Sequence, residues 1–268
     1  MKGLKQFRVK PGRAVRLAEI DPAWTGGFKD KDEAREALRR NIERMSKLQY
    51  RLYAQKKYAL LIVLQGMDAS GKDGTIRQVM SGLNPQSCCV KAFKEPTPEE
   101  LDHDFLWRIH RVAPARGEIG IFNRSHYEDV LVVRVHDLVP RAVWRRRYDQ
   151  IQAFERILAA NDVIILKFFL HISRAEQRRR LEERLTDPSK NWKVAPSDFK
   201  ERKFWGAYQR AYEEAMTRCS TRRAPWFVIP ADHKWFRNWA VSQVIVETLE
   251  SLRMKFPKPV LTGREKLE

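Results

Sequence analysis

The run Tyr58 to Leu64 (YALLIVL) leads straight into Gln65 to Thr75 (QGMDASGKDGT). An unbroken apolar segment of that length reads as a strand buried on both faces, and such strands belong to parallel sheets covered by helices on each side. Next come Gly66, four residues, then Gly71 and Lys72, the spacing of a phosphate-binding loop between a strand and a helix. Glycines there let backbone N–H groups turn toward an anion, the next helix presents its positive end, and the lysine neutralises outer phosphates. The chain is therefore expected to be α/β.

The remaining sequence repeats that alternation. Residues 31 to 57 place Ala34, Leu38, Ile42, Met45, Leu48 and Leu52 at helical spacing, which predicts a long amphipathic helix. A helix over about 72 to 81 follows the glycine-rich loop, and Ser87 to Ala92 reads as a short strand. Thr97, Pro98 and Glu100 supply a cap, a first-turn proline and a capping box, and that helix is predicted to reach about Val112. Further strands are expected over Glu118–Phe122, Asp162–Leu170 and Pro225–Ile229. Helices are expected from Pro140, from Arg174 to Leu185 behind a second capping box of Ser173 and Glu176, up to about Cys219, and from Trp235 to Met254. Residues 186 to 198 (TDPSKNWKVAPSD) lack periodicity and read as a loop. With no repeat and no linker, 1–268 is expected to be a single domain on a mostly parallel sheet, with a helical N-terminal extension over about 1–57.

Charge then narrows the partners. Lys and Arg total 52 against 34 Asp and Glu, a net of +18, which selects polyanions. Nucleic acid satisfies that demand, and so does any long phosphate polymer. Apolar residues make up 43% of the chain, which sets it apart from disordered sequences. No run of about 18 apolar residues exists, so no membrane span is expected. The first residues, MKGLKQFRVK, lack the apolar core of a signal peptide, and three cysteines form no disulfide framework, so a cytoplasmic setting is expected.

The loop departs from the ordinary pattern in its metal ligands. Position 73 is Asp where a standard loop has Ser or Thr, and the strand ending at Phe122 is followed by Asn123 rather than Asp. Magnesium needs one or two carboxylate oxygens and keeps water and phosphate as its other ligands. Asp68 precedes the tight Gly71-Lys72 turn and is the better candidate ligand, with Asp73 instead favouring the helix N-terminus electrostatically.

Three segments together resemble the polyphosphate kinase 2 family: Gly66 to Gly74 (GMDASGKDG), Phe122 to Asp129 (FNRSHYED) and Asp187 to Lys193 (DPSKNWK). The likeness covers about residues 30 to 255. It implies a P-loop kinase-like three-layer α/β/α fold related to thymidylate kinases, with a helical lid over about 174–200. It further implies reversible, Mg²⁺-dependent transfer (Mn²⁺ as a substitute) between inorganic polyphosphate and AMP, ADP and ATP, with guanine nucleotides as further substrates. Asp68, Lys72 and Arg124 are then catalytic, and the phosphate cradle comprises Gly66, Ala69, Ser70, Gly71, Lys72, Asp73 and Gly74. Glu128 resembles the class that accepts both AMP and ADP, and joins Arg124 and His126 on the nucleotide side. Family members form homodimers or homotetramers.

Single residues sharpen the picture. Arg124, just past a buried strand, offers a guanidinium fork for phosphoryl oxygens. Arg134 lies in an apolar stretch and needs a partner; phosphate contact is the expectation. Arg180 and Arg184 share one side of their helix, and with Lys190 and Lys193 they suit a basic lid that excludes water. His126 lacks any metal-binding spacing, and a hydrogen-bonding role fits it better than acid–base work. The rival readings are an ATP-dependent kinase of nucleotides or small molecules, and a basic nucleic-acid-binding protein. The second leaves the glycine-rich loop unexplained and shows no reading module, so no specific nucleic acid is expected.

Overall fold

The computed structural model describes residues 4–259, so the ends of the expected 1–268 domain and of the 1–57 extension lie outside them. Five parallel strands form one sheet in the order β2-β3-β1-β4-β5. They are β1 (Ala59–Gln65), β2 (Cys88–Ala92), β3 (Ile119–Asn123), β4 (Val163–His171) and β5 (Trp226–Pro230). The helices are α1 (Lys31–Gln55), α2 (Lys72–Val79), α3 (Pro98–Leu101), α4 (Trp107–His110), α5 (Val132–Val135), α6 (Arg141–Ala160), α7 (Arg174–Thr186), α8 (Pro196–Glu201), α9 (Trp205–Cys219) and α10 (Lys234–Ser251).

The pleat of the central strand explains the layering. Leu60, Ile62 and Leu64 face a core shared with α1 and α10, including Met45, Leu52, Val244 and Leu249. Ala59, Leu61 and Val63 point the opposite way, against Ile109, Phe154 and Leu158. A third cluster, around Tyr127, Tyr148, Tyr212 and Trp226, completes that side under α6 and α9. All seven β1 residues are buried, as expected for a strand covered on both faces. The three-layer α/β/α arrangement is the one expected.

Two local expectations fail for identifiable reasons. The helix expected from Thr97 to Val112 is two short ones, although the capping box of Thr97 and Glu100 forms as predicted. Asp104 breaks it: its carboxylate accepts from the Leu106 backbone N–H at 2.9 Å, a turn that competes with the helix ladder. Residues 186–198 are not wholly irregular, because Pro196 opens α8 from the first helical position. At Ser173 only half of the capping box exists. Its side chain accepts from Glu176 N, while its own N–H donates to Asp232 and Glu176 turns to Arg179 and Arg180.

Candidate active site

Every strand of a parallel sheet points its C-terminal end the same way, and ligands bind along that edge where the chain reverses its winding. Here the loop after β1, Phe93 to Glu95 after β2, Arg124 after β3 and Lys234 with Arg237 after β5 all converge on it. The backbone of the β1 loop is tightly determined. Gly66 takes φ +155°, and a Cβ there would lie 2.9 Å from the Leu170 carbonyl oxygen. Gly71 takes φ +99° and would drive a Cβ to 1.9 Å from the Arg237 guanidinium. Between them Ala69 holds a left-handed φ of 60°, and Ser70 N closes the turn on Met67 O at 3.0 Å.

Two cavities meet at this edge. The larger, about 620 Å³, is lined by ten basic side chains against four acidic ones. Among them are Lys72, Arg77, Lys94, Arg184, Lys190 and Lys193. The smaller, about 390 Å³, is lined by Gly66, Met67, Glu128, Val132, Glu201, Tyr208 and Tyr212. Asp68, Glu95 and Arg124 line both, so they form the common wall.

The electrostatics of the wall follow from its charges. Arg124 stands 3.6 Å from Asp68, on a backbone held at φ +63°. Burial opposes the Arg124 charge, but Glu128 and Asp68 outweigh it and raise its pKa. Lys72 donates to the Gly66 carbonyl at 2.9 Å. Burial lowers its pKa, with Asp68 pulling the other way. Asp73 accepts from Asn123 Nδ2 at 2.7 Å, which ties the start of α2 to the end of β3. Gln177 on α7 donates to the Asp68 carbonyl at 3.0 Å and so anchors the first turn of α7 to the loop.

Two expected ligands stand elsewhere, and a third spends its donors on the backbone. His126 is fully buried, 3.2 Å from Glu155, in a cluster with Tyr127 and Lys167, and lines neither cavity. The apolar surroundings and the carboxylate claim it for packing, not for a nucleotide. Arg134 has its partner in protein: it donates to Glu214 at 2.7 Å and to Tyr148 at 3.2 Å, over the Trp144 ring. Arg180 borders the basic cavity, but its N–H groups go to the Ala69, Ser70, Ala231 and Asp232 carbonyls. It holds the loop from behind. Lys190 is paired with Glu183 and Asp187, and Lys193 stacks on Trp192.

Sequence reasoning passed over Lys94, Glu95, Arg77, Glu201, Tyr208, Tyr212, Lys234 and Arg237, all of which line these cavities. The strand-end rule would have found Lys94, Glu95 and Lys234, which follow predicted strands within a few residues.

A family model described as Polyphosphate kinase 2 matches residues 28–257. The AMP/ADP-polyphosphate phosphotransferase of Meiothermus ruber is 52% identical, covering 98% of this chain and 99% of that one. The ADP-polyphosphate phosphotransferase of Rhodopseudomonas palustris is 46% identical, covering 98% of this chain and 95% of its own. The crystal structure of polyphosphate kinase 2 from Arthrobacter aurescens TC1 superposes with a TM-score of 0.93 at 41% identity, over 97% of this chain and 93% of that one. With two cavities, one of them strongly basic, meeting beside a glycine-rich strand-to-helix loop, and with matches along nearly its whole length, this chain belongs to the polyphosphate kinase 2 family.

Proposed function

We propose that the chain transfers the terminal phosphate of inorganic polyphosphate to ADP and to AMP, reversibly and with Mg²⁺. The observation that carries this is the pair of unlike cavities joined at Asp68, Glu95 and Arg124. A phosphate polymer matches the basic one by charge alone. A nucleotide matches the other, where the half-buried Tyr208 ring lines the wall and Arg124 meets its phosphates.

Asp68, with Glu95 and Glu128 on neighbouring walls, would hold Mg²⁺. The donor fits in kind: Asp68 offers hard carboxylate oxygens and lines the same cavity as Glu95 and Glu128. That suits an ion which keeps water and phosphate in its shell. When bound, it would neutralise phosphate charge. The chain's own groups supply the rest. Lys72 exchanges the Gly66 carbonyl for a transferring phosphoryl oxygen, Arg124 grips both substrates from the common wall, and Gly71 with α2 offers N–H donors. Positioning and charge neutralisation are the whole requirement, because phosphate acceptors need no general base.

The lid role of 174–200 belongs to this proposal, supported by Arg184, Lys190 and Lys193 on the basic cavity. So do guanine nucleotides as further acceptors, a homodimeric or homotetrameric assembly, and a reducing cytoplasmic location in keeping with free Cys88, Cys89 and Cys219. No helix among the described residues is long and apolar enough to cross a membrane.

The test is incubation with polyphosphate and Mg²⁺ plus AMP or ADP, followed by nucleotide chromatography. Conversion of both acceptors is expected. Turnover with ATP as sole donor to a small-molecule acceptor, and none with polyphosphate, would overturn the reading.

A further inference from the structure

Four described cations are buried, and three of them have a carboxylate: Arg108 has Glu100, Lys167 has Glu155, and Arg180 has Glu176. Arg237, on the first turn of α10 and 2% exposed, has no carboxylate partner among the described residues. Its Nε and one terminal nitrogen donate to Asn238 Oδ1 at 3.1 and 2.8 Å, and the other donates to Ser70 O at 3.1 Å. A guanidinium has five N–H donors, so two are left over. Those nitrogens lie against Gly71 and Gly74, at the opening turn of α2, on the wall of the basic cavity.

Loop support does not account for this arginine. Arg180 already donates to Ser70 O at 3.0 Å and to Ala69 O at 2.9 Å, so the carbonyl that Arg237 reaches would keep a donor without it. A buried charge without a partner is costly, and a nearby second cation makes it costlier. Burial, with Arg180 adding to it, pushes the Arg237 pKa down to about 9, still protonated at neutral pH. What compensates such a group is an anion that arrives.

We infer that Arg237 is a phosphate-binding residue of the donor side: its spare N–H groups reach past Gly71 and Gly74 to the phosphoryl chain in the basic cavity. The glycines at 71 and 74 then serve a second purpose, since any side chain at 71 would stand where this guanidinium does. This inference rests on polyphosphate being the donor.

The experiment uses the full chain, long-chain polyphosphate without nucleotide, and calorimetric binding over a salt series. Arg237→Gln, whose amide nitrogen falls near the place of Nε and can still donate to Asn238, and Arg237→Met are compared with Arg237→Lys. Both neutral variants should bind polyphosphate about tenfold more weakly or worse, as expected when a charge-assisted hydrogen bond is removed. Their slope of log affinity against log salt should be shallower by about one, since one phosphate fewer is neutralised. Arg237→Lys should keep the slope, and ADP affinity should stay within about twofold in all three, as for a charge remote from the nucleotide cavity. Without polyphosphate, Arg237→Met should melt no lower than the wild type. If whichever neutral variant folds binds polyphosphate with wild-type affinity and slope, the inference is overturned. If the wild type itself does not bind polyphosphate, the donor assignment fails instead.

Discussion

The Arg124 guanidinium stands 3.6 Å from the Asp68 carboxylate, on the wall that both cavities share. An ion pair this loose, with Arg124 about half exposed, contributes little to stability. Its value is to keep a cation and the carboxylate proposed to hold Mg²⁺ poised over the same point.

Asp68→Asn removes that carboxylate at almost constant volume. Turnover should fall by about 10²–10³, as for other preorganised charges at reacting centres. The Mg²⁺ concentration for half-maximal rate should rise as well. A variant with the wild-type Mg²⁺ curve would exclude position 68 as the ligand.

Lys72→Ala should lower kcat by about 10²–10³ or more, because the proposed role of its charge is to stabilise the phosphoryl group in transfer. Thermal stability should change little, since the ammonium spends its described hydrogen bonds on two loop carbonyls. Steady-state rates with polyphosphate and ADP are the measurement.

Glu128 lines the smaller cavity beside Asp68 and Arg124, where the acceptor's phosphate end is proposed to lie. Glu128→Asn should depress AMP phosphorylation more than ADP phosphorylation, by about tenfold in the ratio of kcat/KM, the scale of one or two kcal/mol. Equal losses for the two acceptors would remove Glu128 from the selectivity.

Gly71→Ala places a methyl group at a left-handed φ and against Arg237. Destabilisation of about 1–3 kcal/mol is expected from the backbone alone. Urea midpoints give the answer, and the loop should lose phosphate affinity at the same time.

The buried cluster sets a pH response. Burial lowers the His126 pKa below its usual 6.5 despite Glu155 beside it. Below about 6.5 the unfolded chain takes up a proton there that the folded chain refuses, so stability falls as pH drops. Burial raises the Glu155 carboxyl, but Lys167 and His126 outweigh it and hold it below 4.5, so a second loss follows under that pH. Asp129, pushed by burial up to about 6, works in the opposite sense between that value and 3.8. Comparing wild type with His126→Gln by urea unfolding cancels the Asp129 contribution. Between about pH 7 and pH 5 the wild type should lose stability relative to the variant. Parallel curves would mean that His126 is not held neutral.

How far these features were legible differs by range. The strands were visible because unbroken apolarity is local, yet each begins one residue later than expected and four of the five end one later. Gln65, Asn123 and His171 stay in the ladder as polar strand ends, since backbone pairing does not depend on the side chain. The loop was visible because its glycines are spaced within nine residues. What stayed hidden was partnership across the chain. Arg134 looked free for phosphate because Glu214 is 80 positions away, and His126 looked accessible because Glu155 lies on another helix. Arg237 gave no signal at all, as only the fold brings α10 against Ser70.

The shared wall has a further consequence for how the enzyme feeds. On the proposed assignment, a phosphorylated nucleotide would leave the smaller cavity while the polymer, one unit shorter, stays docked in the basic one. One tethered strand can therefore serve a succession of visitors, and release of the small product need not reset the large one.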